Sequence, residues 1–263
     1  RQLYYLFQLI RNKLFDLNIL KTTKFNFPII AIGNLSVGGT GKTPLANYLI
    51  TKLKSKYKLT FLSRGYMRKT SGYILANEYS SVNEIGDEPF LIKQTHNDIT
   101  VAVCENRVHG IQSSLQMKNE SNLFILDDAF QHRSLKASIN IVLSKFNQPF
   151  FKDFIIPTGN LREPASGIKR ANIIIISKCP YNLSETIKND FVRKINPNSN
   201  QKVFFTSINY KNYVLGKYQL NHNKISKQEV VLVTGIADST TLENFLNKKN
   251  IIFNHLKFND HHR

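Results

Sequence analysis

A lysine and a threonine behind a glycine-rich turn, and two carboxylates closing an apolar run, are the residues of this chain best suited to chemistry. Residues 33–44 read Gly-Asn-Leu-Ser-Val-Gly-Gly-Thr-Gly-Lys-Thr-Pro. Glycines let backbone N–H groups curl around phosphate oxygens, and a helix N-terminus adds positive partial charge. A lysine there reaches the β- and γ-phosphates, and a following threonine hydroxyl ligates Mg²⁺. Ser36, Val37, Gly38, Gly39, Thr40, Gly41, Lys42 and Thr43 are therefore the expected nucleotide cradle. The spacing departs from the usual pattern at Ser36, where a glycine is normal. Downstream, the run Leu123-Phe124-Ile125-Leu126 ends in Asp127-Asp128. One of these carboxylates would hold Mg²⁺ and the other would orient a nucleophile. Each motif has a plainer reading, a glycine-rich strand–helix turn for the first and a helix N-cap by Asp128 for the second. In this order and together, they favour a Mg²⁺–nucleotide site.

Three further clusters are polar where a loop need not be: Gly-Asp-Glu-Pro at 86–89, Gly-Asn-Leu-Arg-Glu-Pro at 159–164, and Asp-His-His at 260–262. A carboxylate–imidazole pair is what would deprotonate a hydroxyl acceptor. A double histidine also suits a transition metal, but no further ligands stand at suitable spacing. The run Ile173–Ile176 ends in Ser177-Lys178-Cys179-Pro180. Guanine-reading turns place an aspartate where Pro180 stands, so ATP is the expected nucleotide. Val37 replaces the lysine that dimeric switch ATPases need before their paired glycines.

These groups need elements to position them. The runs at 29–32, 58–62, 99–104, 123–126, 138–143 and 171–176 alternate with polar helical stretches. That rhythm predicts a doubly wound, mostly parallel α/β sheet, with ligands at the carboxyl ends of the strands. Residues 1–20 place Leu3, Leu6, Phe7, Ile10, Leu14 and Leu17 at helical spacing beside Arg1, Arg11 and Lys13. This is a basic amphipathic helix, which either packs on the protein body or lies in a membrane interface. Around Tyr210-Lys211-Asn212 the pattern turns to a hairpin or linker, and a fresh βα unit opens at Val230. The expected organisation is a nucleotide-binding core over 1–205, a linker over 206–224, and the start of a smaller α/β domain over 225–263.

Thirty-six basic against 18 acidic residues leave a net charge of +18. Such a field favours nucleic acid, an anionic membrane surface or a phosphorylated substrate, although lysine-rich solubility alone would also produce it. No run of five basic residues marks a nucleic-acid arm. The two cysteines lie far apart and form no disulfide framework. No apolar run approaches the ~20 residues that span a bilayer. The opening arginine and the close at 260–263 suggest a chain cut at both ends.

In this order, the motifs at 33–44, 63–66 (Ser-Arg-Gly-Tyr), 86–89, 127–133 (Asp-Asp-Ala-Phe-Gln-His-Arg), 159–164 and 260–262 resemble the tetraacyldisaccharide 4′-kinases of lipid A biosynthesis. The resemblance covers nearly the whole chain. It departs at Ala129, where the family often has glycine, and the relaxed phosphate loop with Ser36 is itself a family trait. It implies a P-loop fold with a smaller second α/β domain, ATP and Mg²⁺, and transfer of the γ-phosphate to the 4′-hydroxyl of a tetraacyl glucosamine disaccharide 1-phosphate. It also implies work at the cytoplasmic face of the bacterial inner membrane, with the N-terminal helix as a peripheral anchor. Carried over by motif, Lys42 and the loop amides cradle phosphates, and Thr43, Asp127 and Glu163 serve Mg²⁺. Asp87 and His261 activate the acceptor, and Asp128 is catalytic or supporting. A monomer without nucleic acid is expected. The alternatives are a switch ATPase acting at membrane or DNA, and a non-catalytic nucleic-acid module.

Overall fold

The computed structural model describes residues 2–117, 120–214, 216, 219–236 and 238–259. The Asp-His-His segment, and with it His261, lies outside the described residues. The chain divides into two compact units, Arg1–Thr206 and Ser207–Arg263.

The first unit opens with helix α1 (Gln2–Asp16), followed by strand β1 (Ile29–Asn34) and helix α2 (Lys42–Leu53). Next come β2 (Leu59–Ser63), β3 (Ile74–Leu75), α3 (Val82–Ile85), α4 (Asp87–Thr95), β4 (Thr100–Val103) and α5 (Arg107–Gln116). The series closes with β5 (Leu123–Leu126), β6 (Ile139–Lys145), β7 (Ile173–Ser177), α6 (Glu185–Ile195) and β8 (Lys202–Phe205). Eight strands form one sheet in the order β3-β4-β2-β5-β1-β6-β7-β8, parallel throughout except for the edge strand β3. This is the doubly wound α/β sheet that the alternating pattern predicts. Along β1, Ile30 and Ile32 pack towards Ala46 and Ile50 of α2, while Ile29 and Ala31 face Ile111, Leu126 and Leu135 on the other side. A strand covered on both faces has no polar side, so β1 and β5 read as continuous apolar runs.

Residues 202–205, the last of the expected core, finish the main sheet as β8. Val203 and Phe205 turn inward onto Ile174 and Ile176 of β7, and that packing draws the strand into the first unit. In the second unit, β9 (Tyr213–Val214) and β10 (Leu220–Asn221) pair as an antiparallel hairpin ahead of α7 (His222–Ile225). Strand β11 (Val230–Thr234), α8 (Thr240–Lys248) and β12 (Phe253–Lys257) then form a parallel βαβ unit.

Helix α1 docks through its polar side. The Tyr4 hydroxyl donates to the Arg162 carbonyl at 2.9 Å, Arg11 donates to the Gln131 carbonyl at 3.1 Å, and Arg133 donates to the Asn12 carbonyl at 2.7 Å. Phe15 is buried between the guanidinium groups of Arg11 and Arg133, each 5.2 Å from its ring centre. The apolar stripe therefore faces outward, with Leu3 85% and Phe7 61% exposed, and Leu6, Ile10 and Leu17 also uncovered. Among the described residues, no helix is long and apolar enough to cross a membrane.

One close approach holds β1 against the turn after β5. A Cβ added to Gly33 would stand 2.5 Å from the Phe130 Cβ. Gly33→Ala should therefore destabilise the first unit by about 1–3 kcal/mol through overpacking. A urea titration showing an unchanged midpoint would contradict that contact.

Candidate active site

The phosphate loop takes its shape from two glycines and a strap. Gly38 and Gly41 adopt φ angles of 91° and 93°, a region that side chains disfavour, and Gly41 caps α2. Ser36 needs no such freedom. It pairs in extended conformation with Leu161, and the Val37 N–H donates to the Asn160 carbonyl at 2.8 Å. The irregular position of the motif is thus a short β-bridge to the 159–164 segment. From inside, the Asn34 amide donates to the Thr40 hydroxyl at 3.0 Å, and the Ser177 hydroxyl donates to the Thr40 carbonyl at 2.7 Å.

Lys42 and Thr43 open α2 and meet acidic partners from distant elements. The Lys42 ammonium lies 3.6 Å from Asp128. The Thr43 hydroxyl donates to the Glu88 carboxylate at 2.9 Å. Glu88 stands there because Gly86, at φ 88°, starts α4 so tightly that a Cβ would meet the Tyr66 carbonyl at 2.9 Å. Asp87 and Glu88 then occupy the first turn of α4, favoured by the helix dipole, and Pro89 follows where its missing N–H costs nothing. The Asp87 carboxylate accepts the Glu88 N–H at 2.9 Å.

At the end of β5 the two aspartates diverge. Asp127 is buried, and its Oδ1 has no hydrogen-bond partner among the described residues. Burial pushes its carboxyl up to about 7, with the charges of Glu88 and Asp128 adding to the shift and Lys42 and Arg107 opposing it. Asp128 adopts a left-handed φ of 45° and swings towards Arg162, which holds it with bonds of 2.7 and 2.8 Å. Burial alone would raise Asp128, but Arg162 and then Lys42 outweigh it and keep this carboxylate well below its usual range. Arg162 also reaches the Asn34 carbonyl at 3.1 Å, tying the ends of β1 and β5 together. Beneath them Arg107 is buried, donating to the Cys104 carbonyl at 2.7 Å and the Asp127 carbonyl at 2.8 Å. Burial, then Arg107, pushes the imidazole of His132 down to about 4, so it is neutral at physiological pH.

The carboxylate beside Thr43 is therefore Glu88. Glu163, which the resemblance assigns to the metal, is buried. It pairs with Arg170 at 2.8 Å and accepts the Gln131 amide at 2.9 Å. Sequence reasoning named the Gly-Asp-Glu-Pro turn but passed over Glu88, Arg107, Arg162 and Gln131 as site residues. Glu88 follows Asp87 in the same motif, and that adjacency was the available signal. The hydroxyl of Thr43, the carboxylate of Glu88 and the unpartnered Asp127 oxygen are hard oxygen donors, as Mg²⁺ prefers. Among the described residues no group of three histidines, cysteines or acids forms a metal cage.

Strand, phosphate loop, helix and acidic strand end together define a P-loop nucleotide-binding protein built for phosphoryl transfer. Residues 1–263 match the family described as tetraacyldisaccharide-1-P 4′-kinase, and the chain belongs to that family. It is 44% identical over 261 residues to a tetraacyldisaccharide 4′-kinase of Flavobacterium johnsoniae, covering 99% of this chain and 76% of the relative. A Bacteroides fragilis enzyme of the same name is 41% identical over 263 residues, covering 96% of this chain and 69% of the relative. Among solved structures, LpxK from Aquifex aeolicus, crystallised in complex with ATP, aligns with a TM-score of 0.78 and 32% identity, over 99% of this chain and 80% of that one.

A buried carboxylate with a raised pKa destabilises the nucleotide-free fold once it ionises. The folded state then binds more protons than the unfolded state, so stability falls as pH rises from about 4 towards 7. Asp127→Asn should therefore raise the melting temperature of the nucleotide-free protein at pH 7, by about 0.5–2 kcal/mol of stability, while abolishing turnover. The stability gap should close towards pH 4. Equal melting curves for the two proteins across that range would refute the assignment.

Proposed function

We propose that this chain is an ATP-dependent kinase that transfers the γ-phosphate to the 4′-hydroxyl of a tetraacyldisaccharide 1-phosphate, forming lipid IVA. One observation carries the reading beyond family membership. The Thr43 hydroxyl is bonded to Glu88 beside the lysine-bearing phosphate loop, and the buried Asp127, with an unpartnered oxygen, lies near enough to feel the charges of Glu88 and Lys42. These groups would hold Mg²⁺, which would supply charge neutralisation at the β- and γ-phosphates. In this scheme the loop amides of 36–43 and Lys42 cradle the triphosphate, and Lys42 exchanges Asp128 for phosphate oxygens. Arg162 keeps Asp128 ionised and in place. Glu163 acts through Gln131 and Arg170, supporting the loop rather than the metal. The acceptor oxygen attacks the γ-phosphorus, the bond to the bridging oxygen breaks, and ADP departs. The hydroxyl proton passes to Asp87, and the family motif gives His261, which lies outside the described residues, the role of its helper.

The membrane reading rests on α1. Its docked face is polar and its free face apolar, the arrangement of an interfacial helix. With a net charge of +18, the surrounding lysines would add roughly 1 kcal/mol each near the anionic cytoplasmic face of the inner membrane.

Incubation with ATP, Mg²⁺ and a tetraacyldisaccharide 1-phosphate should yield the 4′-phosphorylated lipid. Asp87→Ala should lower kcat about 10²–10⁴-fold with little change in ATP affinity. ATP hydrolysis indifferent to the lipid acceptor would instead favour a switch ATPase. Replacing Leu6, Phe7 and Ile10 together by Ser removes apolar surface without touching the docked face. It should weaken binding to anionic vesicles by about tenfold or more at unchanged melting temperature. Undiminished cosedimentation would remove α1 as the anchor.

A further inference from the structure

The connection from Asp127 to Ser138 returns across the face of the sheet opposite α2 without forming a helix. It leaves a cavity of about 420 Å³ against Ala31 and Leu126. The polar wall includes His132, Arg133 and Lys136 in the connection, Arg170, and Asn140 and Asn172 near the starts of β6 and β7. Three of these side chains are cationic, and none of the described residues lining the cavity is acidic. Arg133 and Arg170 are steadied by carboxylates outside the lining, Asp16 and Glu163. Lys136 pairs with no acidic group among the described residues. The Asn172 side-chain oxygen accepts the Asn140 N–H at 2.8 Å, which fixes that amide in the wall. Lys42, Thr43, Glu88 and Arg162 do not line this space.

We propose that this cavity is a second anion site that takes a phosphorylated small polyol through Arg133, Lys136 and Arg170. At roughly 30 Å³ per water the space holds about a dozen waters, more than a bare phosphate displaces. Phosphate matches the planar guanidinium donors and the ammonium charge, and the asparagine amides suit hydroxyl groups. A free sugar or glycerol phosphate and the headgroup of a phospholipid carry the same chemistry. The site adjoins the phosphate loop through a chain of contacts: Arg170 holds Glu163, Glu163 accepts from Gln131, and Gln131 also donates to the Asn34 carbonyl at 2.9 Å.

The test is calorimetric titration with glycerol 3-phosphate on the whole protein, saturated with ADP and Mg²⁺ so that the phosphate loop is filled. One saturable site is expected, weakening with added salt. Lys136→Glu should weaken it about tenfold or more. Asn172→Asp keeps the acceptor for Asn140 while placing a negative charge in the wall, and should weaken binding likewise. Lys56→Glu, an exposed charge reversal elsewhere, should leave binding unchanged. A parallel arm compares vesicles of phosphatidylglycerol and phosphatidylcholine. Glycerol phosphate binding that is sensitive to Lys136 and Asn172 supports a soluble ligand. Sensitivity confined to the phosphatidylglycerol vesicles supports a lipid headgroup. No saturable binding in either arm, or equal losses in Lys136→Glu and Lys56→Glu, would overturn the proposal. Melting curves of the variants separate lost binding from lost folding.

Discussion

The Arg162 guanidinium holds together everything that the site requires. It grips Asp128 with two bonds and reaches back to the Asn34 carbonyl, so the ends of the two central strands are tied by one side chain. Its own backbone is tied in turn. The Arg162 N–H donates to the Leu35 carbonyl at 2.7 Å, while the carbonyl of the same residue accepts from Tyr4 of α1. The phosphate loop, the acidic strand end and the N-terminal helix thus share one anchor. A planar fork suits this role where a lysine would not, because only the guanidinium can meet a carboxylate in bidentate fashion and still reach a carbonyl.

Around that anchor, two adjacent aspartates reach opposite electrostatic states. Asp128 leaves the strand in a left-handed turn and finds two cations, so it stays ionised. Asp127 continues into the interior beside Glu88 and keeps an unpartnered oxygen. A neutral or weakly ionised carboxyl is the least costly state of a buried group with an unpartnered oxygen.

Helix α1 illustrates a second inversion. An amphipathic helix on a globular body normally buries its apolar stripe. Here the polar side docks through Tyr4, Arg11, Asn12 and Phe15, and the leucines face outward. The same contacts join the helix to residues 131, 133 and 162–163, which lie close to the site.

Much of this was legible in the chain itself. Strand periodicity, the positive-φ glycines of the phosphate loop and the acidic end of β5 are local features, governed by backbone sterics and by which residues follow one another. They determine the α/β sheet and the nucleotide cradle without reference to distant partners. What they leave open is decided across long separations. Thr43 and Glu88 meet over 45 residues, and that meeting, not the acidity of either motif, chooses Glu88 over Glu163 as the carboxylate beside the hydroxyl. Ser36 looked like a flaw in a motif until Leu161 supplied its pairing partner. The amphipathic pattern of α1 defined two faces but not which one docks. Local sequence dictates φ and ψ and the spacing of side chains. The choice among several carboxylates, edges and faces depends on which groups the packed sheet brings within hydrogen-bonding distance, and only the tertiary structure makes that choice.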